Sequence, residues 1–439
     1  MLTLVGAGAV GLAVVVNPIV LVALIGAAAL VWFATTSLPM ATGALVLVRT
    51  LSDSRFIPET IGFGLNLLVA LVAIAYALVL IERQRYRPGL ALTSLTVIAI
   101  VWTLIALTTF GADPSILNEL VRFFSIGGVA VLSSAAARQL GAILFARLLI
   151  FASIPAMLGV IFGQVTQLSS LYSSTTGSFG TFSNKNIAAA FFAVLGIASL
   201  YFFLTTRQRL FGIALAGAVL CSSLTISVGG LSAMAVGLLW TIWTLRARMS
   251  AALRFGLVLL IPTVGFVILT QTSFANRIAE LDDAGIRVAR AGEQTTSLNW
   301  RLANWERLLE LWRQRPIQGW GFGATSDILQ PLGRQPHSEP VRILVEFGVV
   351  GFAAVLIIAL IVVARTSRLP MGRPLALGLL AVVTVNGLAS NTMAYVSAMY
   401  LFVAFWQIAQ QLDVDATASP SPDPPADSAP SRSIPRRPL

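Results

Sequence analysis

Residues 342–364 read RILVEFGVVGFAAVLIIALIVVA, and this stretch decides the class of fold. An apolar run of about 20 residues is long enough to cross the hydrocarbon core of a bilayer as a helix. Similar runs lie elsewhere in the chain, near 61–81, 91–110, 120–137, 141–163, 186–206, 210–226, 228–245, 253–270, 373–390 and 393–411. We therefore expect an all-α, polytopic integral membrane protein.

The composition supports a membrane location. Apolar residues make up 57% of the 439 residues and charged residues only 11%, with a mean hydropathy of +0.86. A soluble protein carries roughly 25% charged residues, so this chain has too little polar surface to cover itself in water. The net charge of +11 comes from short arginine clusters between apolar runs, which predicts helix orientation and no nucleic-acid partner.

The first 60 residues are the hardest part to divide into spans. Residues 4–36 are too long for one simple span, and Asn17-Pro18 predicts a tight hairpin there. Residues 38–58, with Pro39 and Arg49, resemble an interfacial segment. The expected total is about 12 spans, either 12 or 13. We expect no removed signal peptide, because the N-terminus has no basic region and no small-residue cleavage site.

Arginines fix the expected orientation, because cytoplasmic connections carry an excess of positive charge. They cluster in alternate connections, at 83–87, 138–147, 207–209, 246–254 and 365–373, and in the tail. This pattern places 164–185 and 272–341 outside the cytoplasm. The expected division is transmembrane helices over 1–271, an extracytoplasmic loop with amphipathic helices over 272–341, further spans over 342–411, and a disordered cytoplasmic tail over 412–439.

Charged side chains within spans usually mark transport pathways. The eighteen acidic residues all fall in connections, at expected span ends or in the tail, and Glu346 is the deepest, about one turn into its span. This distribution weighs against a proton-coupled transporter. With one cysteine (Cys221), one histidine (His337) and sparse acids, we also expect no disulfide, no metal site and no cofactor.

Polar residues concentrate in two expected outer segments. RLANWERLLELWRQRPIQGWGFG (301–323) has Leu302, Trp305, Leu308, Leu309 and Trp312 on one helical face, then Pro316 to end the helix and glycines for a flexible turn. Such a helix is most often an amphipathic helix at the membrane interface. In the other segment, Asn184, Lys185 and Asn186 open a span, where backbone N–H groups and a positive charge favour an anion. An ordinary asparagine helix start explains this segment equally well.

Three short motifs follow one another along the chain. They are GTFSNKNIA (180–188); Arg301 and Trp305 followed by Pro316, Gly319 and Gly321; and His337-Ser338 followed by Glu346 and Gly348. Together they resemble the O-antigen ligase and O-antigen polymerase superfamily of bacterial membrane glycosyltransferases, over about residues 60–411. Two residues depart from its pattern: Ser338 replaces the usual asparagine, and Val228 stands where the family has an arginine thought to contact the lipid diphosphate.

The resemblance implies an inner-membrane enzyme with a metal-independent, inverting mechanism. Its expected partners are a polyprenyl-diphosphate-linked glycan donor, a glycan or lipid-linked acceptor, membrane lipid and other proteins of envelope polysaccharide assembly. The expected catalytic residues are His337, as general base, and Arg301, which stabilises the leaving diphosphate. The expected substrate-binding residues are Lys185, Asn186, Asn184, Arg342, Trp305 and Glu339. Among them, Lys185 or Arg342 could supply the charge missing at Val228, and Glu339 could orient the imidazole.

Two alternatives remain open. A polymerase and a ligase of the same superfamily share these motifs, and the missing arginine favours an exopolysaccharide-type polymerase. A flippase for lipid-linked glycans belongs to another class, and it would need polar groups around a cavity in the middle of the membrane.

Overall fold

The computed structural model describes residues 37–53, 57–83, 86, 88–173, 177–251, 255–256, 287–290, 293–295 and 297–418. Over these residues the chain is a helical bundle with two short antiparallel β-ribbons. The helices are α1 (Leu38–Ser52), α2 (Glu59–Glu82), α3 (Leu90–Phe110), α4 (Pro114–Leu140), α5 (Ala142–Thr166), α6 (Lys185–Thr206), α7 (Arg209–Leu224), α8 (Val228–Leu245), α9 (Ser297–Gln314), α10 (Glu339–Thr366), α11 (Arg373–Ala389) and α12 (Val396–Ala418). The ribbons pair β1 (Tyr172–Ser173) with β2 (Gly177–Ser178), and β3 (Arg287–Arg290) with β4 (Glu293–Thr295).

Seven of these helices are long and apolar enough to cross a membrane: α2, α3, α4, α5, α6, α8 and α10. Each coincides with a predicted span. The predicted spans at 210–226 and 373–390 are the shorter apolar helices α7 and α11. The total of about 12 spans stays a prediction, since 4–36 and all of 253–270 except residues 255–256 lie outside the described residues.

The segment expected at the interface, 38–58, is helical over most of its length and enters the bundle. α1 packs against α4 and α5, with Leu45 and Val46 fully buried. Near its end Arg49 pairs with Asp53 at 3.1 Å, and Asp53 also accepts a hydrogen bond from Ser397. Asp53 therefore has two partners within the bundle, and the helical spacing of four residues brings Arg49 to it.

The predicted start of the disordered tail, at residue 412, lies too early in the chain. α12 continues to Ala418, past the boundary at 412. The physical reason is Asp413, whose carboxylate accepts hydrogen bonds from the backbone N–H groups of Met371 and Gly372, where α11 starts. A charged acceptor satisfies those donors and holds the last turns of α12 in place.

Helix α6 is the centre of the bundle. Residues 188–202 are all buried, and the helix packs against α7, α8, α11 and α12. Small residues allow this packing: Gly230 lies against Ala189, and Gly237 faces the backbone of Gly378. Close backbone approach through small residues is the usual way in which membrane helices associate. The start of α6 is thereby fixed among the ends of its neighbours.

Candidate functional site

Helix α10 is interrupted at Gly348, where φ is +62°. The N–H groups of residues 349–350, freed by the break, donate to the carbonyls of residues 316–317 at 2.8 and 3.3 Å. The carbonyls of residues 345–346 accept in turn from the N–H groups of residues 320–321 at 3.0 and 2.8 Å. The turn after α9 thus supplies the hydrogen bonds that the helix break would leave unmade.

The glycines of this turn are wedged in place, and the prediction of a flexible turn is wrong. A Cβ on Gly319 would overlap the backbone of residue 346, and one on Gly348 would overlap the backbone of Ile317. Gly321 lies equally close to the backbone of Ala106 in α3. All three glycines have positive φ, which other residues rarely adopt. Their role is close backbone contact.

A buried network of charges lies at the break. Arg342 donates through Nη2 to Glu119 at 2.9 Å and through Nε to Glu346 at 3.3 Å. Glu346 also accepts from the Thr325 N–H at 3.1 Å and the Thr325 hydroxyl at 2.6 Å. Glu119 binds a second arginine, Arg122, one turn further along α4. Each of the two carboxylates is thus paired with at least one guanidinium group.

The sequence placed Glu119 just before its span, and the structure corrects this. α4 begins at Pro114, because Asp113 caps it by accepting the Ser115 N–H at 2.8 Å. Glu119 is consequently inside the helix and only 4% exposed. Arg342, expected to bind substrate, is also 4% exposed and already has two carboxylate partners. Arg342 could replace the missing family arginine only by giving up one of these carboxylates.

Helix α9 docks onto the segment that contains His337. The Trp305 indole donates to the Pro336 carbonyl at 2.7 Å, and Asn304 donates to the Gln335 carbonyl at 3.5 Å. The rings of Trp300 and His337 meet edge to face with centroids 5.9 Å apart. His337 has φ +52°, a strained conformation for a residue with a side chain. Trp305 therefore positions residues 335–337, which we call the histidine loop.

The buried face of α9 differs from the predicted one. Trp300, Asn304 and Leu308 are at most 1% exposed, whereas Leu302 is 50% exposed. The apolar pattern alone missed this face because a buried asparagine, whose amide nitrogen donates to the histidine loop, lies at its centre. α9 is therefore packed on the protein through that face.

Arg301 lies one residue after Trp300 and is half-buried. Its Nε is buried and has no hydrogen-bond partner in the part of the chain that the structure describes. Burial lowers the pKa of the Arg301 guanidinium, and the nearby Tyr395 hydroxyl opposes this shift. An arginine keeps its charge in proteins, so an unsatisfied buried donor here favours an anion.

Tyr395 connects Arg301 with the start of α6. Burial raises the pKa of the Tyr395 phenol, and interactions with the side chains of Ser390 and Asn186 oppose this shift. Asn186 also accepts a hydrogen bond from Ser227 at 2.9 Å, at the start of α8. The ends of α6, α8 and α11, the first residues of α9 and the start of α12 thus meet around one phenol.

The other residues of the α6 start have defined partners. Asn184 caps the helix by accepting the Asn186 N–H at 2.8 Å. Lys185 donates to the Ile226 carbonyl at 3.4 Å. Ile226 has φ +50°, which is exceptional for a β-branched residue. The ordinary cap expected from the sequence is present, and the lysine lies beside the loop that precedes Val228.

Glu339 is buried and accepts the Met393 N–H at 2.7 Å. It joins the start of α10 to the turn before α12. Because this carboxylate oxygen accepts a backbone hydrogen bond, Glu339 stabilises the packing of α10 against the turn before α12.

The structure brings most of the predicted residues to one end of the bundle. Arg301 and Asn186 both interact electrostatically with Tyr395, His337 contacts the residue before Arg301, and Trp305 holds the histidine loop. Arg342 belongs instead to the charge network. The sequence reasoning missed Tyr395, Glu119 and Trp300. Polar residues in NTMAY (391–395), at the start of an otherwise apolar run, were the signal for Tyr395.

These features define a multi-pass integral membrane protein with a polar site at one end of its helical bundle. A family model described as O-antigen ligase matches residues 223–356, which include α8, α9, the histidine loop and the break in α10. This match confirms the resemblance to the O-antigen ligase and polymerase superfamily, whose members are glycosyltransferase-like enzymes acting on lipid-linked glycans. No curated protein matches the chain.

Proposed function

We propose that this chain transfers or polymerises a glycan carried on undecaprenyl diphosphate, at the outer face of the cytoplasmic membrane. The observation that carries the proposal is Arg301, a half-buried guanidinium with a buried and unsatisfied Nε, which follows directly after Trp300, the residue whose ring contacts His337. A diphosphate leaving group has the charge and the acceptor oxygens that such a site lacks.

In the proposed reaction, the imidazole of His337 takes the proton of the acceptor hydroxyl. The hydroxyl oxygen then forms a bond to the anomeric carbon of the donor glycan. The bond from that carbon to the diphosphate oxygen breaks, and its electron pair stays on the diphosphate. Arg301 stabilises the charge that develops there, which is often the largest catalytic contribution. A single in-line displacement of this kind inverts the anomeric carbon.

Other residues of the site have supporting roles in this proposal. Tyr395 and Asn186 supply a hydroxyl and an amide, which are suited to sugar or phosphate oxygens. Lys185 and the cap residue Asn184 lie at a helix start, which favours anions, so Lys185 is the nearer substitute for the family arginine at Val228. Arg342 and Glu339 stabilise the helices around the site through their buried contacts.

The experiment is a glycan-transfer assay in a strain that lacks the native protein. His337→Ala should lower transfer by roughly 10²–10⁴-fold, the usual contribution of a general base. Arg301→Ala should cause a comparable loss. The matched control is Arg313→Ala, which removes an exposed arginine from the same helix and should leave transfer unchanged. Near wild-type transfer in both test variants would refute the assignment.

Polymerase and ligase activity are distinguished by the length of the glycans that accumulate. A deletion strain of a polymerase keeps single repeat units, whereas loss of a ligase leaves long chains on the lipid carrier. We favour the polymerase, because the departure at Val228 separates this chain from the pattern of its relatives. A gel of lipid-linked glycans from the deletion strain decides between them.

A lipid-linked glycan flippase is the second candidate, and the buried network of Glu119, Arg342 and Glu346 is the observation that favours it. Charged groups within spans often line transport pathways. In this network, however, Arg342 is paired with both carboxylates near the starts of α4 and α10. Transfer between purified substrates in detergent, where no translocation can occur, would exclude the flippase.

A further inference from the structure

A second polar cavity, of about 50 Å³, lies between α1, α2, α4 and α12. Neither Tyr395 nor Arg301 lines it. A water molecule needs roughly 10–15 Å³, so the cavity has room for a small polyatomic group. Among the described residues that line it, two are arginines, Arg49 and Arg122, and none is acidic.

Both arginines that line this cavity have donors not used by the carboxylates that pair with them. Arg49 is 8% exposed, and its Nε is buried with no hydrogen-bond partner in the described ranges. Arg122 is about one-third exposed and uses one guanidinium nitrogen for Glu119. Asp53 and Glu119, which pair with the two arginines, do not line the cavity. The cavity lining therefore includes two guanidinium groups and neither of the carboxylates that pair with them.

The remaining lining residues show from which side a ligand arrives. Asn66, Asn118 and Ser125 add polar groups to the wall. On the rim, Phe63 is 57% exposed and Leu67 is 38% exposed, both on the candidate span α2. A polar cavity with an exposed apolar rim on a membrane-spanning helix fits an amphipathic ligand that enters from the bilayer.

We infer that this cavity binds the phosphate group of a membrane lipid, with the lipid chain lying along α2. Arginine suits phosphate because its planar fork makes paired hydrogen bonds to the oxygens. The phosphate would satisfy Arg49 Nε and the remaining donors of Arg122. This site is additional to the proposed catalytic site and does not depend on it.

The test measures binding of radiolabelled farnesyl phosphate to the purified full-length protein in detergent. Arg301→Ala is the reference chain, so that binding at the proposed catalytic site is weakened in every sample. Adding Arg122→Gln should weaken binding roughly tenfold to a hundredfold, the usual effect of losing charge-assisted hydrogen bonds. Arg138→Gln is the matched control, because it removes one arginine at the opposite end of the same helix and should change nothing.

Asn118→Leu is the second variant, since it fills the cavity and leaves the pair of Arg122 and Glu119 intact. It should weaken binding as Arg122→Gln does. Binding within twofold of the reference in both variants would overturn the inference. Equal binding of farnesol would show an apolar groove only, and equal competition by inorganic phosphate would show a site for free anions; either result overturns the lipid assignment. The assay needs no glycan transfer, so its outcome is independent of the proposed activity.

Discussion

The backbone of Gly319 lies directly against that of Gly348, so the turn after α9 and the break in α10 meet with no side chain between them. The two motifs Pro316–Gly321 and Glu346–Gly348 are therefore halves of one structural unit. Their glycines allow the approach, and the paired backbone groups hold it. This contact fixes Glu346 and the end of α9 relative to each other.

Gly348→Ala should destabilise the protein strongly, because a Cβ has no room there and the positive φ adds about 1–3 kcal/mol of strain. Thermal unfolding in detergent, followed by size-exclusion chromatography, measures the effect. Gly64→Ala is the control, since its Cβ would meet no atom within 4 Å. An unchanged melting temperature in Gly348→Ala would contradict the tight contact.

Arg342→Ala should lower the free energy of unfolding by about 3–5 kcal/mol, since it leaves Glu346 buried without a cation and takes one of the two arginines from Glu119. Adding Glu119→Gln should recover part of the loss, because one of the two charges is then gone. Denaturant unfolding in detergent measures both. The exposed Arg365→Ala, at the far end of α10, is the control. A stable Arg342→Ala protein with weak donor binding would instead favour the substrate role expected from the sequence.

Tyr395→Phe should reduce glycan transfer roughly tenfold while the protein stays folded, because it removes one hydroxyl and keeps the ring. The comparison variant is Tyr201→Phe, whose hydroxyl donates to the Met371 carbonyl away from the site. Transfer rates at saturating donor are the readout. Equal rates in the two variants would remove Tyr395 from the site.

Lys185→Ala should weaken donor binding if this lysine supplies the charge that Val228 lacks. The double variant Lys185→Ala with Val228→Arg should then regain part of the affinity, because the arginine restores a cation at the start of α8. The KM for the lipid-linked donor measures both effects. Failure of Lys185→Ala to raise KM would show that the compensating charge comes from elsewhere.

Addition of EDTA should leave transfer by the purified protein unchanged, because the proposed chemistry uses an imidazole and a guanidinium from the chain itself. A parallel sample with excess Mg²⁺ controls for effects of the chelator on the lipid substrate. Strong inhibition by EDTA that Mg²⁺ reverses would contradict the metal-independent mechanism.

Hydropathy predicted all seven long apolar helices, since a helix that crosses a bilayer must be apolar over most of its length. Hydropathy predicted the first residues of the helices less accurately. Asp113 and Pro114 begin α4 well before its apolar run, and this moved Glu119 from a loop into the bundle. The face of α9 was also misjudged, because Asn304 is buried through a hydrogen bond to a segment distant in sequence.

The sequence by itself determined the membrane class, the order of the spans and the residues that carry the motifs. These features depend on local composition and spacing, which the chain displays directly. Only the tertiary structure decided that Arg342 is paired with two carboxylates, that Arg301 has a buried and unsatisfied Nε, and that two glycine motifs form one unit. Each of these depends on which groups meet after packing, because a charge acquires its role from its partners and its burial.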